Sequence, residues 1–92
     1  MANRPVSSEE IRASVREFVA RITERQPAEI SDTAHFRDDL QIDSLMAMEM
    51  MVAVNKKYQI EILDEEFRGI ESVQGAVAVV QRHLAADGGK GS

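Results

Sequence analysis

The residues best placed to do chemistry are the adjacent pair Asp43 and Ser44. They open the apolar run Leu45-Met46-Ala47-Met48-Glu49-Met50-Met51-Val52-Ala53-Val54. Such a run reads as a helix, with Asp43 as its N-cap and Ser44 as its first helical residue. The first-turn N–H groups of a helix lack partners within it, so a serine there sets its hydroxyl beside free donors. A phosphate attached to Ser44 would also lie near the positive end of the helix dipole. The pair is therefore suited to carrying a phosphodiester. Asp43-Ser44-Leu45 is also an ordinary helix start, and the tripeptide alone does not decide between the two. His35 lies in the preceding stretch and could in principle serve Ser44 as a base, which would make a hydrolase. Against that, the chain lacks Gly-x-Ser-x-Gly and is small for the usual α/β scaffold.

Composition narrows the chemistry further. There is no cysteine, which excludes a disulfide framework, a thiolate zinc site and a cysteine nucleophile. His35 and His83 are the only histidines and cannot by themselves build a zinc site, so no metal is expected. Sixteen acidic against eleven basic side chains give a net charge of −5, which argues against nucleic acid as a partner. The charge is concentrated: residues 28–76 hold eleven acids and four bases, a net of −7. That stretch would suit a basic partner surface, or simply be a solvated face. No apolar run approaches the roughly 20 residues that span a bilayer. The first ten residues carry no apolar signal core, so a cytoplasmic location without membrane insertion is expected. With 43% hydrophobic and 4% aromatic residues, 92 residues make one small domain, 1–92, with an aliphatic core.

Several elements must position Asp43 and Ser44. Ser7-Ser8-Glu9-Glu10 has capping-box spacing and starts a helix whose stripe is Ile11, Val15, Phe18, Val19 and Ile22, with Pro27 as its stop. Residues 26–43 have no sustained period and form a long connection, pinned to the core by Ile30, Phe36 and Leu40. In the helix opened by Ser44, Ala47, Met50, Met51, Val54 and Tyr58 gather on one side and face the core. Leu45, Glu49, Val52 and Lys56 gather on the opposite side. Aliphatic residues on that charged, outward face suggest a contact surface, although single surface apolar residues are common. Ile60 and Ile62 anchor a turn, and Asp64–Arg68 makes a short helix with Asp64 as cap and Gly69 as stop. A last helix from about Ser72 carries the stripe Val73, Ala76, Val77, Val80 and Leu84 and ends before Gly88. The expected architecture is all-α: a small bundle of three main helices and one short one, with a long loop between the first and second. The folded core is expected over about residues 7–85. Residues 1–6 are expected to be loose, and the glycine-rich tail 87–92 disordered.

The stretch Phe36-Arg37-Asp38-Asp39-Leu40-Gln41-Ile42-Asp43-Ser44-Leu45 resembles the signature of acyl carrier proteins. So do Lys57-Tyr58, Ile60-Glu61-Ile62, Asp64-Glu65-Glu66 and Ile70-Glu71-Ser72-Val73-Gln74, in order and spacing. The likeness covers about residues 8–84. It implies a free-standing carrier rather than an enzyme, with a covalent 4′-phosphopantetheine arm on Ser44. A phosphopantetheinyl transferase would donate the arm from coenzyme A, with Asp43 helping to hold Mg²⁺ in that complex. Leu45, Glu49 and Val52 match the family's docking positions, and Lys56 shares their face. The partners implied are acyltransferases, ketosynthases and other enzymes of one pathway, meeting a monomeric carrier. An acyl or ketide chain, held as a thioester, would fold back against Met48, Met50, Met51, Val54 and Ile62.

Two departures are specific to this chain. The family usually has glycine where Gln41 stands. Its fatty-acid members have a strongly acidic second helix, whereas here Glu49 is the only acid and Lys56 and Lys57 follow. Polyketide or specialised lipid synthesis is therefore at least as well supported as fatty-acid synthesis. The alternatives are an aminoacyl or peptidyl carrier and an unmodified helical interaction domain.

Overall fold

A computed structural model describes residues 7–90, with side chains up to Ala85. It contains α1 (Ser8–Thr23), α2 (Ser44–Tyr58), α3 (Asp64–Arg68) and α4 (Val73–Lys90), plus a single 3₁₀ turn at Pro27–Glu29. No strand occurs among the described residues. The expected all-α bundle with its long first loop is what the chain forms. α1 packs on both α2 and α4.

Local sequence explains most of the helix starts. The Glu10 N–H donates to Ser7 Oγ at 3.1 Å, and the Ser7 N–H donates back to Glu10 Oε1 at 3.3 Å. The capping box read from the sequence is therefore closed in both directions. Ile11, Val15 and Val19 are fully buried along α1, and Val73 and Val80 along α4. Met50 and Val54 supply the buried stripe of α2, flanked by the half-buried Ala47, Met51 and Tyr58. Ile30, Phe36, Leu40 and Ile42 from the long connection, and Ile60 and Ile62 after α2, close the same core. No polar or charged residue is buried among the described residues.

Three boundaries differ from the sequence reading. α1 ends at Thr23, ahead of Pro27, because Glu24 turns left-handed at φ 58°. Its N–H and that of Arg25 fold back onto the Arg21 and Ala20 carbonyls, which satisfies the helix end. Pro27 begins the 3₁₀ turn instead of stopping the helix. α3 takes Leu63 as its N-cap, not Asp64, since the Glu66 carboxylate accepts the Leu63 N–H at 3.3 Å. α4 continues through Gly88 and Gly89 to Lys90, past the end expected from those glycines. The expectations for residues 1–6 and 91–92 lie outside the described residues.

Candidate functional site

The loop before α2 is a built structure. The Phe36 N–H donates to the Glu71 carbonyl at 2.7 Å, and the Gln74 N–H to the Asp32 carbonyl at 3.0 Å, tying the loop to the start of α4. Asp32 also meets α1: its carboxylate pairs with Arg16 and lies 2.8 Å from Arg12 Nε. Residues 35–42 then close on themselves. The His35 N–H donates to Asp39 Oδ2 at 2.7 Å, and His35 Nδ1 accepts the N–H groups of Arg37 and Asp38 at 3.2 and 3.1 Å. The Gln41 N–H reaches the Arg37 carbonyl at 3.1 Å, and the Ile42 N–H the Phe36 carbonyl at 2.9 Å. Gln41 is left-handed, with φ 58°. That conformation is easy for glycine and costly for glutamine, which accounts for the glycine the family usually has there.

This loop delivers the chain into α2 at a fixed point. Asp43 Oδ1 accepts the Met46 N–H at 2.9 Å, the cap expected from the sequence. Ser44 is the first residue of α2 and is exposed, and its hydroxyl makes no hydrogen bond within the described residues. It stands at a cleft of about 520 Å³ between the 35–42 loop, α2 and α3. Phe36, Ile42, Ala47, Met48, Phe67 and Ile70 supply its apolar wall, with Arg37 and Arg68 among its charged residues. A smaller cleft of about 290 Å³ also opens at Ser44, lined by Arg37, Gln41, Ile42 and Asp43.

The remaining residues singled out in the sequence fall into two groups. Leu45, Glu49, Val52 and Lys56 are all exposed on one face of α2, with Leu45 at 65% and Val52 at 56%. Met48, at 49%, sits between that face and the cleft and lines the latter. Met50, Val54 and Ile62 are closed into the core, and Met51 packs against it, so none of these four lines the cleft.

The comparisons with known proteins fall on the same region. Residues 13–80 match the family model described as the phosphopantetheine attachment site. The chain belongs to the acyl carrier protein family. It is 40% identical over 78 residues to the meromycolate extension acyl carrier protein of Mycobacterium tuberculosis, covering 85% of this chain and 68% of that one. It is 37% identical over 70 residues to the polyketide-8 synthase acyl carrier protein 2 of Streptomyces avermitilis, covering 76% and 80%. A solved acyl carrier protein from Enterococcus faecalis superposes with a TM-score of 0.73 at 26% identity, covering 85% of this chain and 99% of that one.

An acyl carrier protein is a carrier and not an enzyme, and its cofactor is 4′-phosphopantetheine. The hydrolase alternative finds no support in this carrier's geometry. His35 Nδ1 is spent on two backbone N–H groups, its Nε2 lies 3.8 Å from Glu71, and no hydrogen bond joins it to Ser44. Among the described residues no group of three or more metal-binding side chains gathers, and no helix is long and apolar enough to cross a membrane.

Two clamps were not read from the sequence. Asn55 Oδ1 accepts the Ile62 N–H at 3.0 Å while its Nδ2 donates to the Ile62 carbonyl at 3.3 Å. This pair fixes the α2–α3 turn. Glu66 joins α3 to α4: His83 Nε2 lies 3.0 Å from both of its carboxylate oxygens and Arg82 Nη2 3.0 Å from one. The His83 hydrogen bond, then the Leu63 N–H and Arg82, hold the Glu66 carboxyl below its ordinary pKa. Neither clamp has a short-range sequence signature, since each joins different elements. Leu63, ahead of α3, is also exposed.

Proposed function

We propose that Ser44 is the attachment point and that the chain presents thioester-bound acyl or ketide groups to the enzymes of one pathway. The observation that carries this is an exposed, unpartnered Ser44 hydroxyl at the mouth of a partly apolar cleft, directly after a capping Asp43. When bound, the phosphopantetheine arm supplies the thiol that the sequence lacks. The residues present fit such a group, because Ser44 is exposed at two clefts on a hydrogen-bonded turn. Asp43 stands beside it to help hold Mg²⁺ while a phosphopantetheinyl transferase acts. Leu45, Glu49, Val52 and Lys56 form the docking face for that transferase and for acyltransferases and ketosynthases. Charge across such a face speeds encounter and keeps contacts brief.

Met48 is the side chain best placed to meet an acyl chain that leaves Ser44 for the cleft. Met50, Met51, Val54 and Ile62 would line that chain's path only if the core opened to admit it. Methionine's flexible thioether lowers the cost of such repacking. The relatives named for meromycolate extension and polyketide synthesis, with Lys56 and Lys57 on α2, favour a specialised lipid or polyketide pathway over routine fatty-acid synthesis. The working form in this reading is a cytoplasmic monomer.

Intact mass after incubation with coenzyme A, Mg²⁺ and a broad-specificity transferase tests the assignment. The expected result is a gain of one phosphopantetheinyl group, absent in Ser44→Ala. A gain that survives Ser44→Ala would move the site elsewhere, and no gain at all would leave an unmodified helical domain.

A further inference from the structure

Arg37 has no ion-pair or side-chain hydrogen-bond partner among the described residues. That is unexpected in its surroundings, because Asp38, Asp39 and Asp43 follow within six positions. Each of those carboxylates is turned elsewhere. Asp39 accepts the His35 N–H at 2.7 Å, Asp43 accepts the Met46 N–H at 2.9 Å, and Asp38 forms no ion pair with Arg37 among the described residues. The Arg37 backbone is held at both ends, its N–H on His35 Nδ1 at 3.2 Å and its carbonyl under the Gln41 N–H at 3.1 Å. Arg37 borders both clefts that open at Ser44, and the smaller is lined by Arg37, Gln41, Ile42, Asp43 and Ser44. The other cation on the larger cleft, Arg68, already has Asp64 at 3.8 Å.

A phosphodiester on Ser44 would add one more negative charge to clefts that Asp43, Asp64 and Glu71 already line. Among the described residues the one free cation bordering both clefts is Arg37, a guanidinium, whose planar donors match phosphate oxygens in pairs. We propose that Arg37 holds the phosphodiester carried on Ser44, so that the 35–42 loop sets the direction in which the arm leaves the protein. This rests on the Ser44 assignment above. Arg37 acts here as a positioning residue: it neutralises the phosphate locally and biases the arm toward its own side of Ser44.

The test uses the phosphopantetheinylated full chain and its unmodified form, with loading checked by mass. Two signals are read by magnetic resonance: the ³¹P resonance of the phosphodiester and the Arg37 Nε–H. For a contact as exposed as this one, the Nε–H should exchange with solvent about two- to fivefold more slowly in the loaded protein than in the unloaded one. The ³¹P resonance should move in Arg37→Gln, move less in Arg37→Lys, and stay in place in Arg68→Gln. Raising salt should carry the wild-type ³¹P resonance toward the Arg37→Gln position. Superposable ³¹P spectra of loaded wild type and Arg37→Gln would overturn the proposal while leaving Ser44 as the site. An equal displacement in Arg68→Gln would overturn it too, since the contact would then not belong to Arg37. Failure to load any form overturns both readings together.

Discussion

The two ends of α2 make an instructive contrast. Each is flanked by a left-handed glutamine, Gln41 at φ 58° before it and Gln59 at φ 55° after it. Each is joined to a connection that anchors in the core, through Ile42 at one end and Ile60 and Ile62 at the other. The first end leaves its polar side chain free: among the described residues the exposed Ser44 hydroxyl makes no hydrogen bond, and Arg37 and Asp43 line the smaller cleft with it. The second end does the opposite. Asn55 spends its whole amide on Ile62, and Lys56 and Lys57 stand outside it in solvent. One helix thus has a proposed chemical end and a structural end. The exposed Leu45, Met48 and Val52 run between them.

That contrast can be broken from either side. The largest effect is expected from Leu45→Glu. It should lower the coupling rate with a docking synthase by about tenfold or more, the scale of a central contact residue. The denaturation midpoint should not move, since Leu45 is already in solvent. Equal turnover before and after the change would remove Leu45 from the proposed docking face. At the other end, Asn55→Ala should cost about 1–3 kcal/mol of stability by stranding the Ile62 peptide groups. A lower denaturant midpoint at constant slope is the readout, with arm attachment at Ser44 retained.

A smaller gain is expected where the ends are alike. Gln41→Gly and Gln59→Gly should each stabilise the chain by about 0.5–1 kcal/mol, as relief of the left-handed strain outweighs the entropy lost by glycine. If only one does so, the two turns are not equivalent. The smallest effect concerns the Glu66 clamp behind the structural end. Its carboxyl titrates below the ordinary value when folded, so the unfolded chain binds protons first as pH falls. The clamp's contribution is complete above the ordinary carboxyl pKa and disappears as pH drops through the depressed one. Glu66→Gln should flatten that part of a stability–pH curve.

The chemical end was far more legible in the sequence than the structural one. Ser7 with Glu10, and Asp43 with the Met46 N–H, close over three residues, so spacing alone predicts them. The outward face of α2 follows from a 100° step per residue. Asn55 with Ile62, Asp32 with Arg12 and Arg16, and Glu66 with Arg82 and His83 depend on how separate elements pack, which no local pattern encodes. The C-terminal end of α1 and the start of α3 escape local pattern for a related reason. Glu24 adopts a left-handed turn that its type disfavours, and Leu63 is capped by a neighbour's carboxylate, so neither looks like a helix boundary. Met48 shows the limit of sorting a helix into two faces. It lies between them, exposed and yet on the cleft.

The interior has one further property. Every buried side chain among the described residues is a hydrocarbon or a thioether, and none carries a charge. A guest entering between them would be sorted as by an oil phase, on length and bulk. A guest bearing a carboxylate or an unpaired hydroxyl would lose its hydration there and gain no side-chain partner. The same aliphatic packing that keeps the fold together would thus discriminate between saturated and oxidised chains. It would shelter the first from water and leave the second outside.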